Sequence, residues 1–367
     1  MVNLAFTNRG WAEKRGKKSM YQHGGDVYRN NVRLDFSSNI NLMGIPESVL
    51  QAAKRGVELS CNYPDTECNE LRDAISIKEG IPKDMIVCGN GAADLIFSLV
   101  IATKPKRALL LSPTFHEYER ALQSVDCRIS YYQLLEENGF KLGTDFVEEI
   151  NGDIDIVFLC NPNNPTGVLI DRLWLKNILQ KCKDSNCFLV VDECFMDFVP
   201  EERDYTLKGL CKESKNLFVL KAFTKLYAMP GLRLGFGFCG NSLLINKMKN
   251  NSQPWNISIP AQMAGIAALE EVEYVKQSLK MIEEEKKFLI QQLRQLHFKI
   301  YESQANYIFF RAKEGLYEKC LEQGVMIRDC SNYRGLSEGY YRIVVKTHCE
   351  NVVLIELLKR LLYELTY

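Results

Sequence analysis

Four short segments carry residues able to do chemistry, and each follows an apolar run. Thr224-Lys225-Leu-Tyr comes after Leu-Phe-Val-Leu, with Arg233 a little farther on. A lysine there can act as a nucleophilic amine, and with the arginine it can hold an anion. Asp192 ends the run Phe188-Leu-Val-Val. It resembles the acidic residue of a Walker B strand, but the chain has no G-x-x-x-x-G-K-S/T segment, so an ATPase is excluded. What remains for a buried carboxylate is to hold a positive charge, for instance a protonated ring nitrogen. Asn161-Pro-Asn-Asn164-Pro-Thr-Gly167 follows Ile154-Asp-Ile-Val-Phe-Leu-Cys160. By composition it is a turn, and its place at a strand end puts Asn164 where a ligand would sit. Gly89-Asn-Gly-Ala92-Ala93-Asp94 lies between a predicted strand and a predicted helix. Small residues there let a phosphate reach free N–H groups at the positive end of the helix. They suit a bare tight turn equally, and the segment alone leaves both open. Gly235-Phe-Gly237-Phe-Cys-Gly240 spells GxGxxG. It lies within and after a strand, with no acidic ribose partner, which argues against a dinucleotide site.

These residues need a scaffold. Met85–Cys88, Arg107–Leu111, Ile154–Cys160, Phe188–Val191, Leu217–Leu220 and Leu234–Phe238 are short apolar runs, as strands covered on both faces must be. Helical patterns intervene, for example Ala92–Ile101 and Arg172–Asp184. The β-α-β-α order predicts an α/β fold: a mostly parallel sheet flanked by helices, with its site beyond the carboxyl ends of the strands. After Pro260 the pattern changes. One long helix is predicted from Gln262 to about His297, then strands at Phe298–Tyr301, Tyr307–Phe310, Val325–Arg328 and Tyr340–Val345, and a last helix from about Glu350. The expected division is a large domain over 45–270 and a smaller α+β domain from 1–44 and 271–367, joined by the long helix.

Composition narrows the function classes. The 367 residues are 46% hydrophobic and 25% charged, enough for a sizeable core. Lysine plus arginine (46) equals aspartate plus glutamate (46), so no basic excess points to nucleic acid or an anionic membrane surface. No apolar run is long enough for a membrane span. The first residues carry Arg9, Lys14, Arg15, Lys17 and Lys18 without an apolar stretch, so no secretory leader is read and a cytoplasmic location is expected. Thirteen scattered cysteines, four histidines and no CxxC pair argue for a reduced compartment, with neither disulfides nor a metal site.

Together the four segments resemble, in order and spacing through nearly the whole chain, the fold type I pyridoxal-phosphate enzymes of the class I/II aminotransferase superfamily. The resemblance implies pyridoxal 5'-phosphate as cofactor. Lys225 corresponds to the Schiff-base lysine, Asp192 to the partner of the pyridinium nitrogen, and Asn164 to the donor at the ring phenolate oxygen. Arg233, Thr224 and the backbone at Ala92 and Ala93 would bind the cofactor phosphate, and Phe115 would stack on the ring. Tyr63, in Asn62-Tyr-Pro-Asp65, is similar to the tyrosine that reaches the neighbouring subunit's cofactor, which implies a homodimer with shared active sites. Arg342 matches the arginine that grips the substrate carboxylate.

Two branches of this superfamily lie near: threonine-phosphate decarboxylases of cobalamin synthesis and histidinol-phosphate aminotransferases. His23-Gly-Gly-Asp26, Asp35-Phe-Ser-Ser-Asn39-Ile-Asn41, Pro113-Thr-Phe115-His-Glu-Tyr-Glu119 and Arg328-Asp-Cys-Ser-Asn-Tyr333 resemble the decarboxylases. Phe115 and Phe195 stand where the aminotransferases usually carry tyrosine. The resemblance therefore implies decarboxylation of L-threonine O-3-phosphate, with His23, Asn39, Arg328 and Arg342 holding this small phosphorylated amino acid. Serine phosphate differs by one methyl group, and no residue decides between them. The alternative is an aminotransferase of the histidinol-phosphate type working with 2-oxoglutarate. A non-catalytic binding protein is disfavoured by the joint presence of Lys225, Asp192, Asn164 and Arg233. One departure is Ala222, where relatives often carry a hydroxyl for the cofactor phosphate.

Overall fold

Short apolar runs bounded by glycine, asparagine and aspartate cannot complete a helix and become strands, while longer stretches with one apolar face become the helices between them. The structure, a computed structural model, describes residues 23–364. The basic stretch from Arg9 to Lys18, and with it the expectation about a leader, lies outside the described residues. The chain enters through β1 (Leu34–Asp35), α1 (Glu47–Glu58) and α2 (Asn69–Glu79). It continues as β2 (Ile86–Gly89), α3 (Ala92–Thr103), β3 (Arg107–Ser112), α4 (His116–Gln123), β4 (Arg128–Gln133), β5 (Ile156–Cys160), α5 (Arg172–Asp184), β6 (Phe188–Asp192), β7 (Leu217–Ala222) and β8 (Gly235–Cys239). The remainder is α6 (Ser242–Asn251), α7 (Ile259–Leu269), α8 (Val272–Gln295), β9 (Lys299–Ile300), β10 (Tyr307–Arg311), α9 (Leu316–Glu322), β11 (Val325–Met326), β12 (Arg328–Asp329), β13 (Tyr340–Val344) and α10 (His348–Glu364).

Seven strands form one sheet in the order β2-β8-β7-β6-β5-β3-β4. Strands β4, β3, β5, β6 and β7 run parallel, and β8 runs antiparallel to both β7 and β2. The period of two along each strand sends side chains alternately into two cores. Val157, Leu159 and Val191 join α5 and α7 on one face, whereas Ile156, Phe158 and Val190 meet α3, α4 and α6 on the other. Helices thus cover both faces, and the carboxyl ends of β3, β5, β6 and β7 open along one edge. The GxGxxG segment is β8 and its exit. Its glycines serve close packing: a Cβ at Gly237 would sit 2.3 Å from the Phe218 ring, and one at Gly240 would sit 2.1 Å from the Cys211 carbonyl oxygen.

Two sequence expectations change, and one strand carries no expectation at all. The predicted helix from Gln262 to His297 is two helices with a break at Glu270-Glu271. Helix α7 is apolar nearly all round and wedges against α1 so closely that a Cβ on Gly56 would lie 2.5 Å from the Pro260 Cα. Helix α8 must instead cross to the second sheet, anchored at its start by Tyr274, whose hydroxyl donates to the Gly44 carbonyl at 2.7 Å. Strand β4 carried no continuous apolar signal because, at the sheet edge, it has no fully buried residue. The Val325–Arg328 strand is split: β11 pairs in parallel with β1, while β12 pairs antiparallel with β13. The second sheet has the order β12-β13-β10-β9. Phe36 donates to Met326 and its carbonyl accepts from Val344, which lays Ser37–Asn39 beside Arg342. No helix among the described residues is long and apolar enough to cross a membrane. All thirteen cysteines lie in the described region, and all are free thiols.

Candidate active site

The carboxyl ends of β5, β6 and β7 open into a cavity of about 240 Å³. Of the site residues expected from sequence, His23, Asn39, Ala92, Ala93, Phe115, Asn164, Asp192, Thr224, Lys225, Arg233, Arg328 and Arg342 all line it. Tyr63 does not. It lies on the surface, 78% exposed, with its ring stacked 4.5 Å from that of Trp255.

Two lysines flank the end of β7, and their surroundings give them opposite chemistry. Lys221 is buried between Asp197 at 2.6 Å and Glu79 at 3.2 Å. Those carboxylates outweigh the burial that opposes them and push its pKa well up, so it stays an ammonium. Lys225 faces the cavity. Burial, with Arg342 and Arg233 nearby, pulls its amine down to about 8, close to where a nucleophile at neutral pH is useful. The turn carrying it is pinned by Asn41, whose backbone N–H donates to the Lys225 carbonyl at 3.1 Å and whose side chain donates to Leu226 at 2.7 Å.

Asp192 is buried at the end of β6. Its carboxylate accepts from the Tyr118 hydroxyl at 2.6 Å and from the Cys194 N–H at 3.0 Å. Burial pushes its carboxyl up from the ordinary value, and these bonds pull it back. A cation placed opposite it would complete the balance. In the Asn-Pro segment only Asn164 lines the cavity. Asn161 is used up on Ile170 and Tyr205, and Asn163 on Thr114, Pro113 and Thr166. The side-chain oxygen of Asn164 accepts from Arg342 and from the Tyr333 hydroxyl, which leaves its amide nitrogen as the donor for a ligand.

The Gly89–Asp94 segment is a strand-to-helix turn whose α3 N-terminus faces the cavity through Ala92 and Ala93. Gly91 has φ +83°, and a Cβ there would lie 2.4 Å from the Arg233 guanidinium. Gly235 approaches so closely that its Cβ would meet the Ala92 nitrogen at 2.6 Å. Arg233 itself takes φ +58°, a conformation costly for a side chain that large. Two glycines and a strained arginine thus keep open a cradle that ends in free N–H groups, a guanidinium and the Thr224 hydroxyl. That donor set suits a phosphate. Gly91→Ala should therefore weaken cofactor binding about tenfold or more, from a clash and a disfavoured φ worth about 1–3 kcal/mol, as read by cofactor titration of the apoprotein.

The other side of the cavity is cationic. Arg328 donates to Asn332 at 2.8 Å and lies over the Tyr333 ring. Arg342 donates to the Ser37 carbonyl at 2.9 Å, while its buried Nε has no partner. The buried Asn39 Oδ1 is likewise unpartnered. Buried polar atoms left in this state call for a ligand. Glu117, Tyr118 and Tyr333 have no role legible in the sequence, because each acts on a residue far away along the chain. Glu117 pairs with His23, Tyr118 with Asp192 and Tyr333 with Asn164. An amine at the end of a pocket, a buried carboxylate, a side-chain amide and a phosphate cradle are the groups pyridoxal phosphate requires, and the residues fit it.

Comparison with known proteins agrees. The chain is 35% identical to the threonine-phosphate decarboxylase of Salmonella typhimurium over 90% of this chain and 91% of that one. Its structure matches that of the histidinol-phosphate aminotransferase from Clostridium acetobutylicum with a TM-score of 0.84 and 30% identity, covering 89% of this chain and 98% of the other. The L-threonine-O-3-phosphate decarboxylase from Porphyromonas gingivalis matches with a TM-score of 0.78 over 90% of this chain and 99% of that one; at 24% identity this is a likeness of fold. The family model for aminotransferase class I and II matches residues 32–361, and the chain belongs to that family.

Proposed function

We propose that the protein decarboxylates L-threonine O-3-phosphate, giving CO2 and aminopropanol phosphate, the arm required in cobalamin synthesis. The observation that carries this reading is the placement of His23. The His-Gly-Gly segment reaches the cavity, and it does so through glycine: a Cβ on Gly24 would lie 2.3 Å from the Ser37 carbonyl oxygen, the acceptor for Arg342. An imidazole is thereby added to the guanidinium groups of Arg328 and Arg342, a set of hydrogen-bonding partners that suits a substrate with a carboxylate at one end and a phosphate at the other. The 35% identity to a threonine-phosphate decarboxylase supports the same reading.

Pyridoxal phosphate, the family's cofactor, supplies when bound an electron sink for the bond broken at the substrate Cα. The protein does the rest. Asp192, held by Tyr118 and Cys194, would keep a proton on the cofactor's ring nitrogen. Asn164 would donate to the cofactor's phenolate oxygen, and Phe115, which lines the cavity, would pack against the ring. Arg342 grips the substrate carboxylate, while His23, Asn39 and Arg328 hold the phosphate and so fix rotation about Cα. The Cα–carboxylate bond breaks and CO2 leaves. Lys225, pulled down to about 8 and so still mostly an ammonium at neutral pH, would then return a proton to Cα, and the product keeps both amine and phosphate.

The structural match to a histidinol-phosphate aminotransferase supports a second reading, amino transfer from a phosphorylated amine to 2-oxoglutarate. Adding O-phospho-L-threonine to the cofactor-loaded protein without a keto acid separates the two. Multiple-turnover release of CO2 and aminopropanol phosphate is the expected result. No CO2, together with glutamate formation from histidinol phosphate and 2-oxoglutarate, would replace this function with the second.

The exposed Tyr63 supports a homodimer with shared active sites, in which it completes the partner's phosphate cradle. Tyr63→Phe should then weaken cofactor binding severalfold in a protein that sediments as a dimer. A monomer, or a variant that binds cofactor as tightly as the parent, would remove the shared site. Thirteen free thiols support a reducing, cytoplasmic setting.

A further inference from the structure

Phe115, which faces the cavity, is the residue that leads into α4, and the helix's first turn holds two buried carboxylates, Glu117 and Glu119. Burying two like charges within one turn is costly unless each has a partner. Each has one partner from outside α4 as well as one within it, Gln123 for Glu119 and Arg120 for Glu117. Glu119 accepts from Arg334 at 2.9 Å. Glu117 accepts from the Nε2 of His23 at 2.9 Å, with Arg120 at 3.5 Å from its other oxygen. Next to them, His116 donates to the Asn332 carbonyl at 3.1 Å, and Asn332 is the residue that receives Arg328. Burial and the nearby Arg328 pull His116 down to about 4, so it works as a neutral donor. The His23 bond holds the Glu117 carboxyl below its usual range, so it is ionised at neutral pH.

We infer that Glu117 is a positioning residue: it fixes the His23 ring so that Nδ1 is the nitrogen offered to an anionic phosphate, and it ties that phosphate site through α4 to Phe115 at the cofactor ring. His23 needs such a brace. Its side chain is 46% exposed, and its ring lies tilted against that of Phe115 with centroids 6.2 Å apart. With Nε2–H committed to a carboxylate, the ring orientation is set and Nδ1 is the one nitrogen left; it donates to a phosphate from the doubly protonated ring, since a neutral ring would turn a lone pair toward the anion. A rigid helix then sets the distance between the phosphate end and the reacting end of the substrate, which governs whether the Cα bond is presented correctly. The inference rests on the proposed substrate for its purpose, but the brace can be tested without it.

The test titrates inorganic phosphate onto the holoenzyme, with ring-nitrogen NMR on histidine-labelled protein. Glu117→Ala should weaken phosphate binding about tenfold and shift the His23 ring-nitrogen signals, a response that a merely structural helix residue would not produce. Glu117→Gln, which keeps an acceptor, should recover part of the affinity. His23→Gln should lose about as much as Glu117→Ala, and the double variant should lose no more than His23→Gln alone. Independent, additive losses, or unchanged His23 signals in Glu117→Ala, would overturn the positioning role. Turnover of O-phospho-L-threonine by the parent protein reports separately on the proposed function, so either idea can fail alone.

Discussion

Replacing Lys225 with alanine is expected to abolish the visible absorbance of covalently bound cofactor and to lower turnover by about 10⁴-fold, because in the proposed mechanism nucleophile and proton carrier are lost together. Lys225→Arg is expected to fare no better. A guanidinium keeps the charge but cannot become the neutral amine that the step needs. The neighbouring lysine cannot stand in: Lys221 is locked between Asp197 and Glu79 as an ammonium. The environment of Lys225 also sets a pH dependence. With the amine pulled to about 8 from an ordinary 10.5, its neutral fraction falls about tenfold per pH unit below 8 and is nearly complete above it. The rate at which apoprotein captures pyridoxal phosphate should thus rise with pH up to about 8 and then level off. A rate still climbing toward 10 would show a lysine with an ordinary pKa. Retained colour in Lys225→Ala would remove it from the reaction altogether.

What could be read from sequence was whatever depends on neighbours along the chain. Within β5, β6 and β7 the stretches Ile156–Cys160, Phe188–Val191 and Leu217–Leu220 are apolar at every position and chemistry-bearing residues follow them, which makes Asn164, Asp192 and Lys225 legible in the sequence itself. Elements defined by distant partners were invisible. Leu34–Asp35 is a strand only because Val325–Met326 lies beside it, and β4 shows no long apolar run because it is an edge. The helix predicted across Glu270-Glu271 has an unbroken local pattern; tertiary packing of α7 against α1 interrupts it. The same division runs through the site. Tyr118, Tyr333 and Glu117 act on residues 74, 169 and 94 positions away, and no local spacing encodes those contacts.

Tyr118 matters most in the prediction for Asp192. Asp192→Asn preserves shape and still accepts from the Cys194 N–H, so the fold should be unaffected, yet the amide carries no charge to keep a proton on the cofactor's ring nitrogen. Loss of one preorganised electrostatic partner of this kind costs about 10²–10³-fold in kcat, and that is the expected effect, with cofactor still attached to Lys225. Asp192→Ala should add a second penalty. It strands the buried Tyr118 hydroxyl and the Cys194 N–H, each unmet group costing about 1–3 kcal/mol, so this variant should melt earlier as well as react slowly. Tyr118→Phe separates the two effects, since it leaves the carboxylate in place but removes one of its bonds. About a tenfold loss in kcat is expected there, because Asp192 is buried with few donors and the loss of one loosens its geometry. If Asp192→Asn turned over as fast as the parent, the carboxylate would be a structural acceptor for Tyr118 and Cys194 alone, and the ring nitrogen would need no partner. The burial argues otherwise, because a carboxylate enclosed this deeply is costly to keep ionised unless a positive charge completes it.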